Sequence, residues 1–283
     1  METKLKYLKS KATEIRKLII EMLARAGSGH PGGSLSSSDI ITCLYFEVMH
    51  NDPKNPAWPD RDRFHLSKGH CCPALYAALS LSGYFPRETL WTLRKFNSML
   101  QGHPDKRVPG IEVASGSLGQ GLSVALGMAL SAKVDKKGYR VYCLMGDGEI
   151  QEGNVWEAAM AAAHFKADNL CAIIDYNHFQ IDGRTDVVMN LEPLLNKWEA
   201  FGWHVISCDG HNIKELLEAF AAAKMVKLKP TVIIAHTVKG KGVSFMEHVV
   251  DFHGRAPTEK EREIALKELS EIEKIEENIE EEE

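Results

Sequence analysis

The stretch Met145-Gly146-Asp147-Gly148-Glu149-Ile150-Gln151-Glu152-Gly153 decides the fold of this chain, because an apolar segment of strand length runs directly into it. An Ala-rich segment of helical composition, 152–165, follows and leads to a second apolar run, 170–174. A strand, a helix and a second strand in this order predict a right-handed crossover between neighbouring parallel strands. The aspartate of the stretch and Asn177 then lie side by side where the two strands end.

Asp147 and Asn177 offer the oxygen ligands of a magnesium site. A carboxylate, an amide oxygen and a nearby backbone carbonyl suit Mg²⁺, which completes its coordination with diphosphate oxygens and water. Gly148 lets a backbone N–H approach a phosphate closely. Gly-Asp-Gly on its own is more often a turn. The strand-helix-strand context, with Asn177 thirty residues after Asp147, favours the diphosphate and metal site.

Short strands and helices continue to alternate along the chain and predict an α/β fold, a doubly wound, mostly parallel sheet with helices on both faces. The predicted strands lie within 60–68, 140–145, 170–174, 203–208 and 231–236. The predicted helices are 4–25, 38–49, 73–81, an Ala/Gly-rich helix after Gly121, 152–165 and 213–224. We expect residues 27–33 to form a loop of small residues, with Ser38 or Asp39 capping the helix that follows.

The overall composition limits the classes of partner and the compartment. The net charge of −5 argues against nucleic acid or an acidic membrane as the main partner. No apolar run approaches the ~20 residues of a membrane-spanning helix, and the Lys-rich start has no signal-peptide core. The cysteines are expected to be reduced core residues of a cytoplasmic protein. They are Cys43, Cys71, Cys72, Cys143, Cys171 and Cys208.

Four loops combine glycine with histidine, at 28–32, 67–70, 102–104 and 253–254. A single histidine is more often a structural residue than a ligand, but four histidines in glycine-flanked loops favour a shared binding site. Imidazoles that are nearly neutral can donate hydrogen bonds to phosphate and to sugar hydroxyls, and can move protons. The turn-rich segment 101–121 is long for a compact domain, and its small residues lead into an Ala/Gly-rich helix after Gly121, so we expect this segment to be functional.

Together these motifs resemble the thiamine-diphosphate-binding half of transketolase, over about residues 12–257. The Gln151-Glu152-Gly153 and Ser-Gly-His-Pro-Gly motifs favour transketolase over pyruvate dehydrogenase or deoxyxylulose-phosphate synthase. The motifs that carry the resemblance are Ser28-Gly29-His30-Pro31-Gly32, Asp62-Arg63-Phe64-His65-Leu66-Ser67-Lys68-Gly69-His70, Gly116-Ser117-Leu118-Gly119-Gln120-Gly121, Gly146-Asp147-Gly148 with Gln151-Glu152-Gly153, Ile181-Asp182-Gly183, and Lys239-Gly240-Lys241-Gly242.

The resemblance implies thiamine diphosphate and Mg²⁺ as cofactors and assigns residues to each. The implied metal ligands are Asp147, Asn177 and the backbone carbonyl of Phe179. The implied contacts with the diphosphate, the aminopyrimidine and the bend of the cofactor are His70, Gly116, Leu118, Gly148, Asn177, His253, Lys68 and Lys239.

The resemblance also implies the residues of catalysis. His30, His103 and His253 would surround the reacting carbons of the sugar and stabilise the oxyanion. Glu152 and Glu157 match acidic residues at the subunit interface, where they would link paired active sites.

A complete transketolase chain is more than twice as long as this one, and its later domains bring a cofactor-activating glutamate and most substrate-phosphate ligands. The resemblance therefore implies the N-terminal subunit of a split transketolase, or else a fragment. Such a subunit would transfer a two-carbon ketol unit from a ketose phosphate to an aldose phosphate. It would be active only with a C-terminal subunit that carries the pyrimidine-binding and C-terminal domains, in a heterotetramer.

Two other functions stay open at this point. The same chemistry could act on dihydroxyacetone, another pentulose phosphate or a sulfosugar, or the chain could be a non-catalytic, cofactor-binding regulatory subunit. Residues 1–257 are expected to form the cofactor domain. Residues 258–283 are expected to form an acidic amphipathic helix, frayed at 280–283, that either packs on its own domain or docks a partner.

Overall fold

The strands of this computed structural model, which describes residues 2–278, form one large sheet and one small hairpin. They are β1 (Arg63–Leu66), β2 (Val141–Gly146), β3 (Leu170–Tyr176), β4 (Phe179–Gln180), β5 (Gly183–Arg184), β6 (His204–Asp209) and β7 (Thr231–His236). Five strands form a parallel sheet in the order β1-β2-β3-β7-β6, and β4 pairs antiparallel with β5. β3 and β7 are neighbours in the sheet but not in the chain, because the chain first forms the edge strand β6 and then returns to form β7. Open α/β sheets bind their ligands at the carboxyl ends of the strands, where the strand order changes in this way.

The α-helices within the described residues cover both faces of the sheet. They are α1 (Glu2–Ala26), α2 (Pro31–Ser36), α3 (Ser38–Cys43), α4 (Cys72–Leu81), α5 (Gly121–Val134), α6 (Gly153–His164), α7 (Thr185–Val188), α8 (Leu194–Ala200), α9 (Ile213–Met225) and α10 (Glu259–Asn278). Shorter helical turns are Leu44–Val48, Gly69–Cys71, Arg87–Thr92, Gly148–Gln151 and Val250–His253.

The sheet lies between two hydrophobic cores. Ile173 and Ile233 face the core that contains α1, α3, α4 and α9, whereas Ile174 and Ile234 face the core that contains α5, α6 and α8. Successive residues of a strand point to opposite faces, so a strand covered on both sides must be apolar throughout. The predicted doubly wound α/β fold is confirmed, and the predicted strands agree with the observed ones to within a few residues.

The structure corrects two local predictions near the start of the chain. The loop expected at 27–33 ends early, because α2 begins at Pro31, whose fixed φ suits the first turn of a helix. Neither Ser38 nor Asp39 caps the next helix. The residue before α3 is Ser37, which has helical dihedral angles and makes no side-chain cap, and Asp39 instead pairs with Arg16.

The acidic C-terminal helix packs on α1 as far as it is described. Ala265 and Leu269 are buried in the same core as α1, and Lys17 pairs with Glu273 at 2.6 Å. The residues predicted to fray, 280–283, lie outside the described part of the chain. All six cysteines are free and buried, as predicted. No helix within residues 2–278 combines the length and the apolar character needed to cross a membrane.

Candidate active site

A cavity of about 390 Å³ lies at the carboxyl ends of β2, β3 and β7. Every predicted site residue except Glu157 lines it, including His30, His103 and His253. Glu157 is exposed on α6, outside the cavity, whereas Glu152 lies on its rim. The parallel sheet explains this convergence, since loops distant in sequence follow strands that end at the same edge.

The predicted metal ligands are held rigidly at the floor of the cavity. Asp147 is 2% exposed, and its carboxylate accepts hydrogen bonds from the backbone N–H groups of Gly148, at 2.8 Å, and His178. The amide nitrogen of Asn177 donates to Asp175 at 3.2 Å. The amide oxygen of Asn177 accepts from the N–H of Phe179 at 3.1 Å and has a second lone pair to offer a ligand.

The electrostatics of Asp147 suit a bound cation. Burial, reinforced by the nearby Asp175 carboxylate, raises the pKa of Asp147 to about 7. Burying a carboxylate costs free energy unless a cation or hydrogen bonds compensate. The carboxylate, the Asn177 oxygen and the Phe179 carbonyl form a set of hard oxygen donors, so the residues present fit Mg²⁺.

Asp175, to which the sequence analysis gave no role, is the buried centre beneath the metal ligands. It is 0% exposed and pairs with Lys68, which is also buried. Burial alone would raise the pKa of Asp175, but Lys68 and the hydrogen bonds hold it below its ordinary value. Its hydroxyl donors are Ser36, Ser37 and Thr237. The only signal in the sequence was a carboxylate ending an otherwise apolar strand.

Glu149 is a second buried carboxylate without a predicted role. It accepts hydrogen bonds from the N–H of Gly119 and of Gly146, each at 3.0 Å, and from the Ser67 hydroxyl. Burial raises its pKa. Glu149 therefore ties together three loops that line the cavity. Gly119 has a φ of +83°, and a Cβ there would lie 2.6 Å from the Cβ of Glu152, so this turn requires glycine.

Lys239 links the metal region to the histidines. Its ammonium donates to the carbonyl of Phe179 at 3.2 Å and contacts Nδ1 of His253 at 2.8 Å. Burial and the neighbouring Lys68 lower the pKa of Lys239 to about 8. An ammonium can only donate, so His253 accepts at Nδ1 and carries its own proton on Nε2.

Three histidine rings form a cluster in the cavity. The ring centroids of His30 and His70 are 5.2 Å apart, and His253 lies 5.3 Å from His70. Burial, reinforced by neighbouring cations, lowers the pKa of His30 to about 4, that of His253 to about 3 and that of His70 well below its ordinary value. Nδ1 of His30 is buried and has no hydrogen-bond partner within the described residues. The cluster is therefore uncharged at neutral pH and can bond to a polar ligand.

A second cavity of about 670 Å³ adjoins the first and shares His103 with it. Arg94, which the sequence analysis did not single out, lines this second cavity. A Cβ at Gly102 would lie 2.7 Å from the Arg94 guanidinium, so the two are in close contact. Burial and the charge of Arg94 lower the pKa of His103.

His65 on β1 lies outside the main cavity and makes the stability of the apoprotein depend on pH. Burial lowers its pKa from 6.5 to about 4. As the pH falls, the His65 ring takes up a proton in the unfolded chain before it does so in the folded protein. The stabilising contribution of neutral His65 is therefore complete above pH 6.5 and is lost as the pH falls towards 4. At ~1.4 kcal/mol per pKa unit, His65 contributes about 3 kcal/mol to this change.

We expect His65→Gln to flatten the dependence of the free energy of unfolding on pH between 6.5 and 4. Urea denaturation at several pH values measures this dependence. The exposed residue His50 supplies the control, since His50→Gln should leave the slope unchanged. Equal slopes for wild type and His65→Gln would contradict the contribution of the lowered His65 pKa to the pH dependence of stability.

The fold and the position of the cavity are those of a diphosphate-binding domain of the thiamine-diphosphate class. The chain belongs to the transketolase family, because the family model described as transketolase, thiamine diphosphate binding domain, matches residues 8–273. The predicted family and the predicted cofactor, thiamine diphosphate, are confirmed.

The relatives fall into two groups by length. An apulose-4-phosphate transketolase subunit of Phocaeicola vulgatus is 48% identical over 262 residues, which are 92% of this chain and 93% of that protein. The 6-deoxy-6-sulfo-D-fructose transketolase subunit SqwG of a Clostridium species is 50% identical over 263 residues, which are 93% of this chain and 96% of that protein. Human transketolase is 44% identical over 90% of this chain but only 40% of its own length.

The solved transketolase structures that match are of the longer, single-chain kind. Transketolase from Campylobacter jejuni superimposes with a TM-score of 0.89 and 37% sequence identity, over 93% of this chain and 42% of its own. This chain therefore has the length of the separate subunits and spans about two fifths of the single-chain transketolases.

Proposed function

We propose that this chain is the N-terminal, thiamine-diphosphate-binding subunit of a two-chain transketolase. In this function it takes part in the transfer of a two-carbon ketol unit from a ketose phosphate to an aldose phosphate. The observation that carries the proposal is the joining of Asp147, Asn177 and the histidine cluster in one cavity. The nearly full-length match to relatives named as subunits supports the split arrangement.

Asp147, Asn177 and the Phe179 carbonyl would hold Mg²⁺, and Gly148, His70 and His253 would contact the diphosphate. Lys68 and Lys239 would add positive charge. Gly116 would contact the aminopyrimidine, and Leu118 would lie against the cofactor and help to impose its bent conformation. When bound, thiamine diphosphate supplies the stabilisation of a carbanion, which no side chain provides.

The histidines have the properties that ketol transfer requires. The neutral ring of His253 presents its Nε2–H as a donor, and the unpartnered Nδ1 of His30 is free to bond to a sugar hydroxyl. Donors placed where negative charge develops on the substrate oxygen lower the barrier, because they need no reorganisation. His103, next to Arg94, would contact the same part of the sugar.

A C-terminal subunit would cover the exposed apolar rim of this cavity. Ile181 is 66% exposed on the cavity wall, and Leu118 is also exposed there. The adjoining helix α7 adds exposed Val187, and Met189 follows it. Exposed apolar clusters of this kind mark protein interfaces. We further propose a heterotetramer in which Glu152 and Glu157 lie at a subunit interface.

The protein is proposed to be cytoplasmic. Residues 1–257 are proposed as the cofactor domain and 258–283 as the acidic C-terminal helix.

The test is reconstitution of the enzyme. We expect the purified 283-residue chain to show no transfer from xylulose 5-phosphate to ribose 5-phosphate, because the glutamate that activates the cofactor would come from the partner subunit. The chain is immobilised with Mg²⁺ and thiamine diphosphate, a native lysate is passed over it, and the eluate is assayed. A stoichiometric second chain with transfer activity supports the proposal, whereas activity of the chain alone contradicts the split arrangement.

The names of the two similar subunits point to a second candidate with the same chemistry. They specify apulose 4-phosphate and 6-deoxy-6-sulfo-D-fructose, which are ketoses with a distal anion. Assaying the reconstituted enzyme with both donors beside xylulose 5-phosphate separates the candidates. A complex that binds thiamine diphosphate but is inactive with every donor would instead indicate a regulatory role.

A further inference from the structure

A chain of buried and partly buried side chains outside the cavity holds the segment that carries Lys239. This segment follows β7, and the backbone N–H of Val238 donates to Nε2 of His211 at 2.8 Å. Nδ1 of the same ring lies 2.7 Å from a carboxylate oxygen of Asp39. Asp39 in turn pairs with Arg16 on α1. The contacts connect Arg16, Asp39, His211 and Val238 in one line that ends beside Lys239.

The Arg16–Asp39 pair makes this line rigid. Asp39 is 4% exposed and Arg16 is 7% exposed. Burial alone would raise the pKa of Asp39, but Arg16 and His211 outweigh it and hold the pKa below its ordinary value. A buried ion pair is weak evidence for stability but good at fixing one geometry. Asp39 therefore presents a fixed acceptor to His211.

The two hydrogen bonds define the tautomer of His211. An N–H group donates to Nε2, so that nitrogen must offer a lone pair. Nδ1 must then carry the proton and donate it to the Asp39 carboxylate. A carboxylate or backbone partner on one ring nitrogen commonly decides what the other nitrogen can do.

Val238 and Lys239 are adjacent in the chain, so a hydrogen bond that holds the backbone of Val238 also restricts the position from which the Lys239 side chain extends. The Val238 N–H faces His211, while the Lys239 side chain enters the cavity and reaches the Phe179 carbonyl and His253. We propose that His211, held by Asp39 and Arg16, is a positioning residue. It would hold the backbone beside Lys239 so that the Lys239 ammonium can contact the diphosphate. This inference rests on the proposed role of Lys239 at the diphosphate.

Two amide substitutions separate the two contacts of His211. In His211→Gln the longer side chain places its amide oxygen near the position of Nε2, so Val238 keeps an acceptor. In His211→Asn the amide reaches the position of Nδ1 and keeps Asp39, but is too short for Val238. His204→Asn, at an exposed position on β6, is the matched control.

The readout is binding of inorganic pyrophosphate with Mg²⁺ to the full chain, by isothermal titration calorimetry. We expect His211→Asn to weaken binding about 10-fold, in the range typical of residues that orient a ligand-binding group. His211→Gln should recover most of the loss, and His204→Asn should bind like wild type. Equal affinities of wild type and His211→Asn would overturn the inference while leaving the proposed function intact.

A double-mutant cycle distinguishes positioning from general stabilisation. In a Lys239→Met background, His211→Asn should cause no further loss of pyrophosphate affinity, because the group it positions is gone. The same 10-fold loss in both backgrounds would show that His211 acts through the fold and not through Lys239. No binding by the wild-type chain would overturn both the proposed site and this inference.

Nitrogen-15 NMR of the histidine rings at pH 8 tests the geometry independently of any ligand. The His211 signals, assigned with His211→Gln, should show a protonated Nδ1 and an unprotonated Nε2. A proton on Nε2 is incompatible with the Val238 hydrogen bond and would overturn the inference.

Discussion

Asp147→Ala is expected to weaken Mg²⁺-dependent binding of thiamine diphosphate roughly 100-fold, or about 3 kcal/mol. Asp147 is the only carboxylate among the three proposed metal ligands, so the variant leaves the charge of the metal and the diphosphate poorly balanced. Its carboxylate is already oriented by the N–H groups of Gly148 and His178. Calorimetric titration with and without Mg²⁺ measures the loss.

Asp182→Ala is the control for this experiment. Asp182 lines the same cavity, but neither the sequence motif nor the structure places it among the metal ligands. If coordination is what matters, this control should change the affinity only slightly. Full Mg²⁺-dependent affinity in Asp147→Ala would make the metal assignment wrong, and an equal loss in Asp182→Ala would attribute the effect to net charge.

Asp175→Ala is expected to lower the free energy of unfolding by about 4 kcal/mol, because it leaves the ammonium of Lys68 buried without its partner. Both side chains of this pair are almost completely inaccessible to solvent. The hydroxyl of Thr237 and the amide of Asn177 lose their acceptor at the same time. Urea denaturation of the apoprotein, monitored by tryptophan fluorescence, measures the change.

A second substitution tests whether the unpaired charge of Lys68 causes the loss of stability in Asp175→Ala. Lys68→Met in the Asp175→Ala background removes the unpaired charge and should restore part of the stability. Asp60→Ala breaks the exposed pair with Lys137 and should cost less than ~1 kcal/mol. No recovery in the double variant would mean that the hydroxyl and amide contacts of Asp175, and not its charge, stabilise this region.

The sheet and the positions of the site loops could be predicted because both depend on local patterns. β3 and β7 are buried on both faces, so their residues are apolar almost without interruption and reveal strands directly. The parallel arrangement then requires that Asp147 and Asn177 meet at one edge. Two of the histidine loops could be placed for the same reason, since 67–70 follows β1 and 28–32 leads into α2. The loops at 102–104 and 253–254 adjoin no strand, so only the family resemblance indicated their place.

Other site features depend on partners that are distant in the chain. Asp175 meets Lys68 and Ser36, which are 107 and 139 residues away. Glu149 meets Ser67, 82 residues away. Nothing in the neighbouring sequence distinguishes these carboxylates from ordinary acidic residues, since burial and pairing arise only when the sheet and helices have assembled.

By itself, the sequence determined the class of fold, the family, the cofactor and most of the residues that line the cavity, because these follow from local periodicity and short motifs. Only the tertiary structure decided that Glu157 lies outside the cavity and that Asp39 pairs with Arg16 and does not cap a helix. It also decided that His211 supports the segment of Lys239. The physical reason is that the charge state and hydrogen-bond role of a side chain depend on its burial and its neighbours in space.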